Sequence, residues 1–140
     1  MLLYITLGSN DLERSGRFYD ACLGALGFIR RVTEEDEIGY GASSDVRCRF
    51  WLVSPYDGKA ASFGNGSMVT LNAGSRSDVE AFYAAALANG GSDEGAPGLR
   101  PFHAHFYACY VRDPDGNKLS AVCERPEELA ADYNPIDSIA

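Results

Sequence analysis

The pattern of hydrophobic and polar positions predicts two amphipathic helices, each preceded by a short extended segment (residues 3–7 and 68–73). The first helix opens at Asn10 or Asp11 and ends before Gly27. The second opens with a capping box in which Ser77 is followed three residues later by Glu80. Apolar positions recur at helical spacing, namely Leu12, Tyr19, Cys22, Leu23 and Leu26, then Val79, Phe82, Tyr83, Ala86 and Leu87.

The segments that follow each helix have the composition of strands and turns. After the first helix come three strand-like segments, residues 28–32, 37–42 and 47–53. After the second comes a loose stretch, 92–105, and then two strand-like segments that flank a tight Asp-Pro-Asp-Gly-Asn turn at 113–117. The sequence therefore predicts an α+β fold in which a β-α-β-β-β unit occurs twice.

The two predicted units also resemble each other in sequence. Thr6 and Leu7 correspond to Thr70 and Leu71, and at the same offset of 64 residues Phe18-Tyr19 corresponds to Phe82-Tyr83. Self-similarity at a fixed offset indicates a duplicated structural unit. We expect one domain made of a first module (1–53), a linker rich in turn residues (54–66), a second module (67–126) and a C-terminal tail (127–140).

Composition and charge narrow the class of protein. The 140 residues carry 12 Lys and Arg against 20 Asp and Glu, a formal charge of −8. Nucleic acids and anionic membranes attract clustered cations, so neither is an expected partner. No apolar run reaches the roughly 20 residues that span a bilayer. The four cysteines are scattered among apolar neighbours and form no CxxC pair, which predicts reduced thiols and a cytoplasmic protein.

Three segments of this chain resemble the vicinal-oxygen-chelate superfamily, which includes glyoxalase I, the bleomycin- and fosfomycin-resistance proteins and the extradiol dioxygenases. The segments are YITLGSNDLERSGRFYDACLGALGF, GNGSMVTLNAGSRSDVEAFYAAALANGG and FYACYVRDPDGNKLSAVCE. The resemblance implies two βαβββ modules that curl around a shared cleft, and a homodimer. In many members the cleft holds a divalent metal.

The residues at the family's metal-ligand positions depart from its pattern. The resemblance places these positions on the first and last strand of each module, where His, Gln or Glu is usual. Here the first-strand positions hold Tyr4 and Met68, and the last strand of the second module holds Ser120. The fourth position falls within 47–53, which contains neither a carboxylate nor a histidine. Because these side chains are weak ligands for a divalent cation, we expect no metal at the usual site.

Alternation along the strands predicts which side chains face the cleft. Tyr4 and Thr6 share one face of the first strand, as Met68 and Thr70 do in the second module. Across the turn at 113–117, Ala108 and Tyr110 are expected to join Lys118 and Ser120 on this face. For residues 49–52 the sequence does not decide whether Arg49 and Trp51 or Phe50 and Leu52 point inward. The resulting mixture of aromatic, thioether and hydroxyl groups is typical of a pocket for a small organic molecule.

The loop before the last two strands contains further candidates. Arg100 either clamps an anionic group or is an ordinary exposed arginine. His103 and His105 lie two residues apart, so an extended backbone would point both rings the same way. They either bind a metal and act as acid and base, or are ordinary loop histidines. Asp113 and Asp115 are expected to be structural, because they belong to the tight turn.

These observations lead to two hypotheses about function. The first is a cytoplasmic homodimer whose cleft binds a small organic molecule without metal or other cofactor. The alternative is a metal-dependent lyase, isomerase or dioxygenase of the same superfamily, with a displaced site near His103 and His105. The sequence does not decide between binding and turnover, and it does not identify the ligand.

Overall fold

The computed structural model describes residues 1–127 and contains two helices and two four-stranded sheets. The first half of the chain forms one sheet and its helix, and the second half forms the other sheet and its helix. In chain order the elements are β1 (Ile5–Gly8), α1 (Leu12–Gly24), β2 (Phe28–Thr33), β3 (Glu37–Ala42), β4 (Phe50–Val53), β5 (Val69–Asn72), α2 (Arg76–Ala88), β6 (Ser92–Leu99), β7 (Tyr107–Arg112) and β8 (Lys118–Cys123). The predicted α+β class and order of elements are confirmed.

Both sheets have the same strand arrangement. The order is β1-β4-β3-β2 in the first sheet and β5-β8-β7-β6 in the second. β1 and β5 are edge strands that run parallel to β4 and β8, and the remaining pairs are antiparallel. Each helix packs on its own sheet, and the two helices contact each other over one continuous buried core. Neither of these two helices covers the opposite face of its sheet.

The helix starts agree with the sequence at α1 and differ at α2. Asp11 caps α1, and its side chain accepts a hydrogen bond from the Arg14 amide at 3.0 Å. The predicted capping box of Ser77 and Glu80 is wrong, because α2 begins two residues earlier. Ser75 is the cap, and its hydroxyl accepts from the Asp78 amide at 3.1 Å. Two overlapping Ser-x-x-acid patterns occur here, and the earlier one closes the first turn.

The stretch predicted to be loose, 92–105, is a strand over much of its length. β6 covers Ser92–Leu99 and pairs with β7, with register shifts between Asp93 and Gly95 and between Gly95 and Gly98. An edge strand with bulges tolerates glycine and proline, since not every amide has to join the ladder. The glycines and the proline of this segment are therefore the reason why the sequence predicted a loop here.

The turn at 113–117 joins the two halves of the chain. Buried Asp113 accepts hydrogen bonds from the Tyr19 hydroxyl at 2.6 Å and from the Asn117 amide at 2.9 Å. Asp115 accepts from the Asn10 amide, the Arg14 guanidinium and the Ser15 hydroxyl at the start of α1. The structural role expected for both aspartates agrees with these contacts.

The sequence also made predictions about the cysteines, the linker and the C-terminal tail. All four cysteines are buried and free. Three acidic residues, 34–36, form the tip between β2 and β3, and the predicted linker, 54–66, contains no helix or strand. The predicted tail, 127–140, lies outside the described residues except for Glu127. Neither helix of the described chain is long and apolar enough to cross a membrane.

Candidate binding cleft

The uncovered sheet faces carry the side chains that strand alternation predicted. Ile5 and Leu7 of β1 pack against the buried core, so Tyr4 and Thr6 point to the other side. Tyr4 is 49% exposed and Met68 is 45% exposed, and Thr70 is also exposed. In the second sheet Thr70 of β5 pairs with Ser120 of β8. The open faces of the two edge strands therefore present phenol, thioether and hydroxyl groups.

Three adjoining cavities lie along β1 and β5. The largest, about 340 Å³, is mostly apolar, and its lining includes Leu2, Leu3, Tyr4, Phe28, Met68 and Thr70. A second, about 240 Å³, is lined by residues of both sheets that include Thr6, Gly8, Met68 and Lys118. A third, about 250 Å³, is lined by Tyr4, Thr6, Glu37, Arg47, Cys48, Trp51 and Val53. Because Tyr4, Thr6 and Met68 each line two of these cavities, we treat the three together as one cleft.

The structure resolves which residues of β4 face the cleft. Phe50 and Leu52 belong to the buried core, so Trp51 lies on the open face of the first sheet. Its ring lies over Gly39 of β3, where an added Cβ would be 2.7 Å from Trp51 Cζ3. A side chain at position 39 would collide with the indole, so glycine there makes the room that the tryptophan occupies.

The register of the strands also identifies the fourth family metal-ligand position. Thr6 pairs with Trp51 as Thr70 pairs with Ser120, which makes Trp51 the counterpart of Ser120. The four positions thus hold Tyr4, Trp51, Met68 and Ser120. None is a carboxylate or an imidazole, and a divalent cation requires about three such ligands. The residues present do not fit a metal at this site.

The open face of the second sheet has a cluster around Tyr110 of β7. The Arg100 guanidinium lies 5.4 Å from the centre of the Tyr110 ring, and the Lys118 ammonium lies 5.7 Å from it. Ser120 is paired with Tyr110 across β7 and β8. Its Oγ is fully buried and has no hydrogen-bond partner among the described residues. Tyr110, Ser120 and Arg100 are thus on the cleft side, as the sequence predicted for the first two.

The two histidines lie in a turn and not in an extended segment. The strand alternation that would point both rings the same way therefore does not apply to them. His103 is 7% exposed, and its Nε2 lies 2.8 Å from an oxygen of Glu124. Its Nδ1 accepts a hydrogen bond from the His105 amide at 3.1 Å. His103 is therefore held beside Glu124. Glu124 lies four residues after Ser120, or about 13 Å further along the direction of β8.

This arrangement gives limited support to a displaced metal site near His103 and His105. Within residues 1–127, no three His, Cys, Asp or Glu side chains are grouped so that they could hold a metal ion. The pair of His103 and Glu124 supplies two potential ligands. Glu124 was not predicted as a partner because 21 residues separate it from His103 in the sequence.

The sequence predicted that Tyr4, Thr6, Met68 and Thr70 face one cleft. In the structure all four line the cavities. By alternation from Ser120 the sequence also put Lys118 on this face, where the residue lines the second cavity, and it left Trp51 undecided. No feature of the sequence indicated that Leu2 and Leu3 would line a cavity, since exposed apolar residues are common.

Two open-faced sheets of identical strand order, with cavities along their neighbouring edge strands, define an α+β fold of the glyoxalase type. The sequence profile of the Glyoxalase/Bleomycin resistance protein/Dioxygenase superfamily matches residues 1–120. The chain belongs to this superfamily.

Solved structures agree with this assignment. A glyoxalase/bleomycin resistance protein from Albidiferax ferrireducens is 40% identical, with a TM-score of 0.77, over 88% of this chain and 97% of that one. A glyoxalase-related enzyme from Fulvimarina pelagi (22% identical, TM-score 0.70, 96% and 95% covered) is similar in fold. So is lactoylglutathione lyase from Agrobacterium tumefaciens (17% identical, TM-score 0.62, 88% and 92% covered). No curated protein matches the sequence.

Proposed function

We propose that the cleft binds a small, partly apolar organic molecule and does so without a metal ion. One observation carries the proposal. Of the four positions where the family places metal ligands, three hold Tyr4, Trp51 and Met68, and all three of these side chains line the cavities. Side chains of this kind hold organic groups by ring contact, thioether contact and a phenolic hydrogen bond.

The size and lining of the cavities indicate the kind of molecule. Ligand sites usually occupy about 300–1,000 Å³ and are mostly apolar with a few placed polar groups. The largest cavity, about 340 Å³, is at the small end of this range. Its wall combines Leu2, Leu3 and Phe28 with the polar groups of Tyr4, Arg49 and Thr70. A compact ring system with one or two polar substituents suits this wall.

The metal-free part of the proposal depends on the donor set. Thioether sulfur is a poor ligand for hard cations, and neutral phenol or alcohol oxygens do not replace the hydration shell of a divalent ion. Elemental analysis of protein purified without chelator tests this part. We expect no stoichiometric Zn, Ni, Fe or Mn. A stoichiometric metal that disappears in a variant with His103→Ala and His105→Ala would instead support the metal-dependent alternative.

Binding of 2-naphthamide, measured by isothermal titration calorimetry, tests the organic ligand. This neutral compound has two fused rings and one amide, which match the apolar wall and its few polar groups. We expect one saturable site, and we expect Met68→Trp to weaken binding at least tenfold, because the larger side chain occupies space shared by two cavities. Leu87→Trp on the exposed side of α2 is the matched control and should bind normally. Absence of saturable binding to the native protein would contradict the proposal.

The assembly and location of the protein remain predictions. The family resemblance predicts a homodimer, which size-exclusion chromatography with light scattering would test. The reduced, buried cysteines favour a cytoplasmic location.

A further inference from the structure

Two cations on the open face of the second sheet have no carboxylate partner. Six arginines of the described chain form ion pairs with acidic side chains, in a protein whose formal charge is −8; they are Arg14, Arg17, Arg30, Arg49, Arg76 and Arg112. The other six cations, Arg31, Arg47, Lys59, Arg100, Lys118 and Arg125, form no ion pair with an acid among residues 1–127. Of these six, only Arg100 and Lys118 lie beside the same aromatic ring, that of Tyr110. Each is within 6 Å of the ring centre, so the surroundings of Tyr110 are locally positive in an acidic protein.

The Arg100 guanidinium is held in place by hydrogen bonds to backbone carbonyls and not by an ion pair. Its Nη2 donates to the carbonyl of Ala96 at 2.7 Å, and its Nη1 lies 3.4 Å from the carbonyl of Leu99. An added Cβ would come within 3.3 Å of the guanidinium at Gly95 and within 3.1 Å at Gly98. The bulged strand β6 therefore provides a close-fitting seat for this side chain. A guanidinium has five donors, so others remain for a ligand.

A hydroxyl with unused hydrogen-bonding capacity lies beside the two cations. Ser120 pairs with Tyr110 across the ladder and lies two residues after Lys118 on the same face of β8. Its Oγ is fully buried without a hydrogen-bond partner in the described chain, which is costly unless a ligand atom or water completes it. Lys118 also lines the cavity shared by both sheets, so this cluster borders the cleft.

We propose that the ligand of the cleft carries a carboxylate or similar anionic oxygen group, which binds at the positive site formed by Arg100 and Lys118 around Tyr110. The inference rests on the proposed function, because it assigns a charge to the molecule that the cleft holds. The apolar body of the ligand lies in the cavities along β1 and β5. A guanidinium binds carboxylates in a fixed planar geometry, and the seat on β6 supplies that orientation in advance.

The experiment compares 2-naphthoate with 2-naphthamide by isothermal titration calorimetry at pH 7.5. The two probes have the same ring system and differ in charge. We expect naphthoate to bind the native protein at least tenfold more tightly, as a charge-assisted contact predicts. Arg100→Gln and Lys118→Gln should each reduce this ratio severalfold, and the double variant should bring it close to one. Naphthamide affinity is measured for all three variants, so that the ratio of the two affinities cancels any effect of a substitution on the cavity wall itself.

Two controls separate the cleft from general electrostatics and from misfolding. Arg17→Gln removes one positive charge from the exposed face of α1 and should leave the ratio unchanged. Circular dichroism melts establish that each variant is folded, and saturable naphthamide binding provides the same check at the site. Raising the salt concentration should weaken naphthoate and not naphthamide.

The outcomes distinguish the two proposals. If the native protein binds both probes equally, or if the double variant keeps its preference for naphthoate, the anionic ligand is excluded while the proposed cleft stands. If naphthamide does not bind at all, the proposed function itself is contradicted.

Discussion

Replacing Asp115 by alanine tests whether the turn at 113–117 holds the two halves of the protein together. The Asp115 side chain is 2% exposed and accepts three hydrogen bonds from the beginning of α1, although it belongs to the second sheet. Alanine removes the acceptor and leaves the three donors without their partner. It also removes a negative charge from the helix N-terminus, where such a charge is favourable.

The magnitude follows from the exposure of each donor. The Ser15 hydroxyl is buried, so losing a charged acceptor there costs about 1.5 kcal/mol. Arg14 is 42% exposed and the Asn10 contact is exposed, so water compensates in part and each contributes about 0.5–1 kcal/mol. We therefore expect a loss of about 3 kcal/mol. For a chain of this length that corresponds to a fall in Tm of about 10 °C.

Urea unfolding followed by circular dichroism and by fluorescence of Trp51 measures the loss. Asp115→Asn should cost about half as much, since its amide oxygen still accepts hydrogen bonds but carries no charge. Asp36→Asn, the same chemical change at the exposed β2–β3 tip, is the control and should stay within about 0.5 kcal/mol of the native protein. If Asp115→Ala were no less stable than this control, the reasoning would be refuted.

Three further predictions concern the buried core and the cleft wall. Burial and Asp113 raise the pKa of Tyr19, so its contribution to stability is complete below pH about 10 and declines above that value as the unfolded chain ionises. In urea titrations between pH 9 and 11, Tyr19→Phe should reduce that decline by about 1.4 kcal/mol in total over the two pH units, and an unchanged slope would contradict the assignment. Gly39→Ala should cost about 1–3 kcal/mol and shift the emission of Trp51, because the new methyl group would meet its ring at 2.7 Å; a native emission spectrum would argue against the indole position. Cys22, Cys109 and Cys123 are at most 1% exposed and should react with Ellman's reagent only after unfolding, whereas Cys48 lines the cleft; rapid labelling of more than one thiol in the native protein would contradict this.

Most of the fold was predictable because its signals are local. The cap at Asp11 and the apolar periodicity of α1 both depend on neighbours within one turn of helix. The turn at 113–117 depends on the conformations of proline and glycine, and Gly116 indeed has φ of +92°. β6 was missed because an edge strand with bulges has no alternating pattern to detect.

The site was predictable only in part, for a different reason. Strand alternation correctly put Tyr4 and Thr6 on the open face, since alternation is a property of any strand. It did not decide the orientation of Trp51, because residues on both sides of β4 are apolar. The partnership of His103 with Glu124 depends on how the turn folds back onto β8, which no local pattern encodes.

The sequence by itself determined most of the elements, the family resemblance and the absence of strong metal ligands at Tyr4, Met68 and Ser120. These depend on residue identity and short-range periodicity. Only the tertiary structure decided that the Trp51 ring covers Gly39, and that Arg100 and Lys118 meet at Tyr110 without an acidic partner in the described chain. Those features depend on which strands pair and in which register, and hydrogen bonds between segments far apart in sequence decide both.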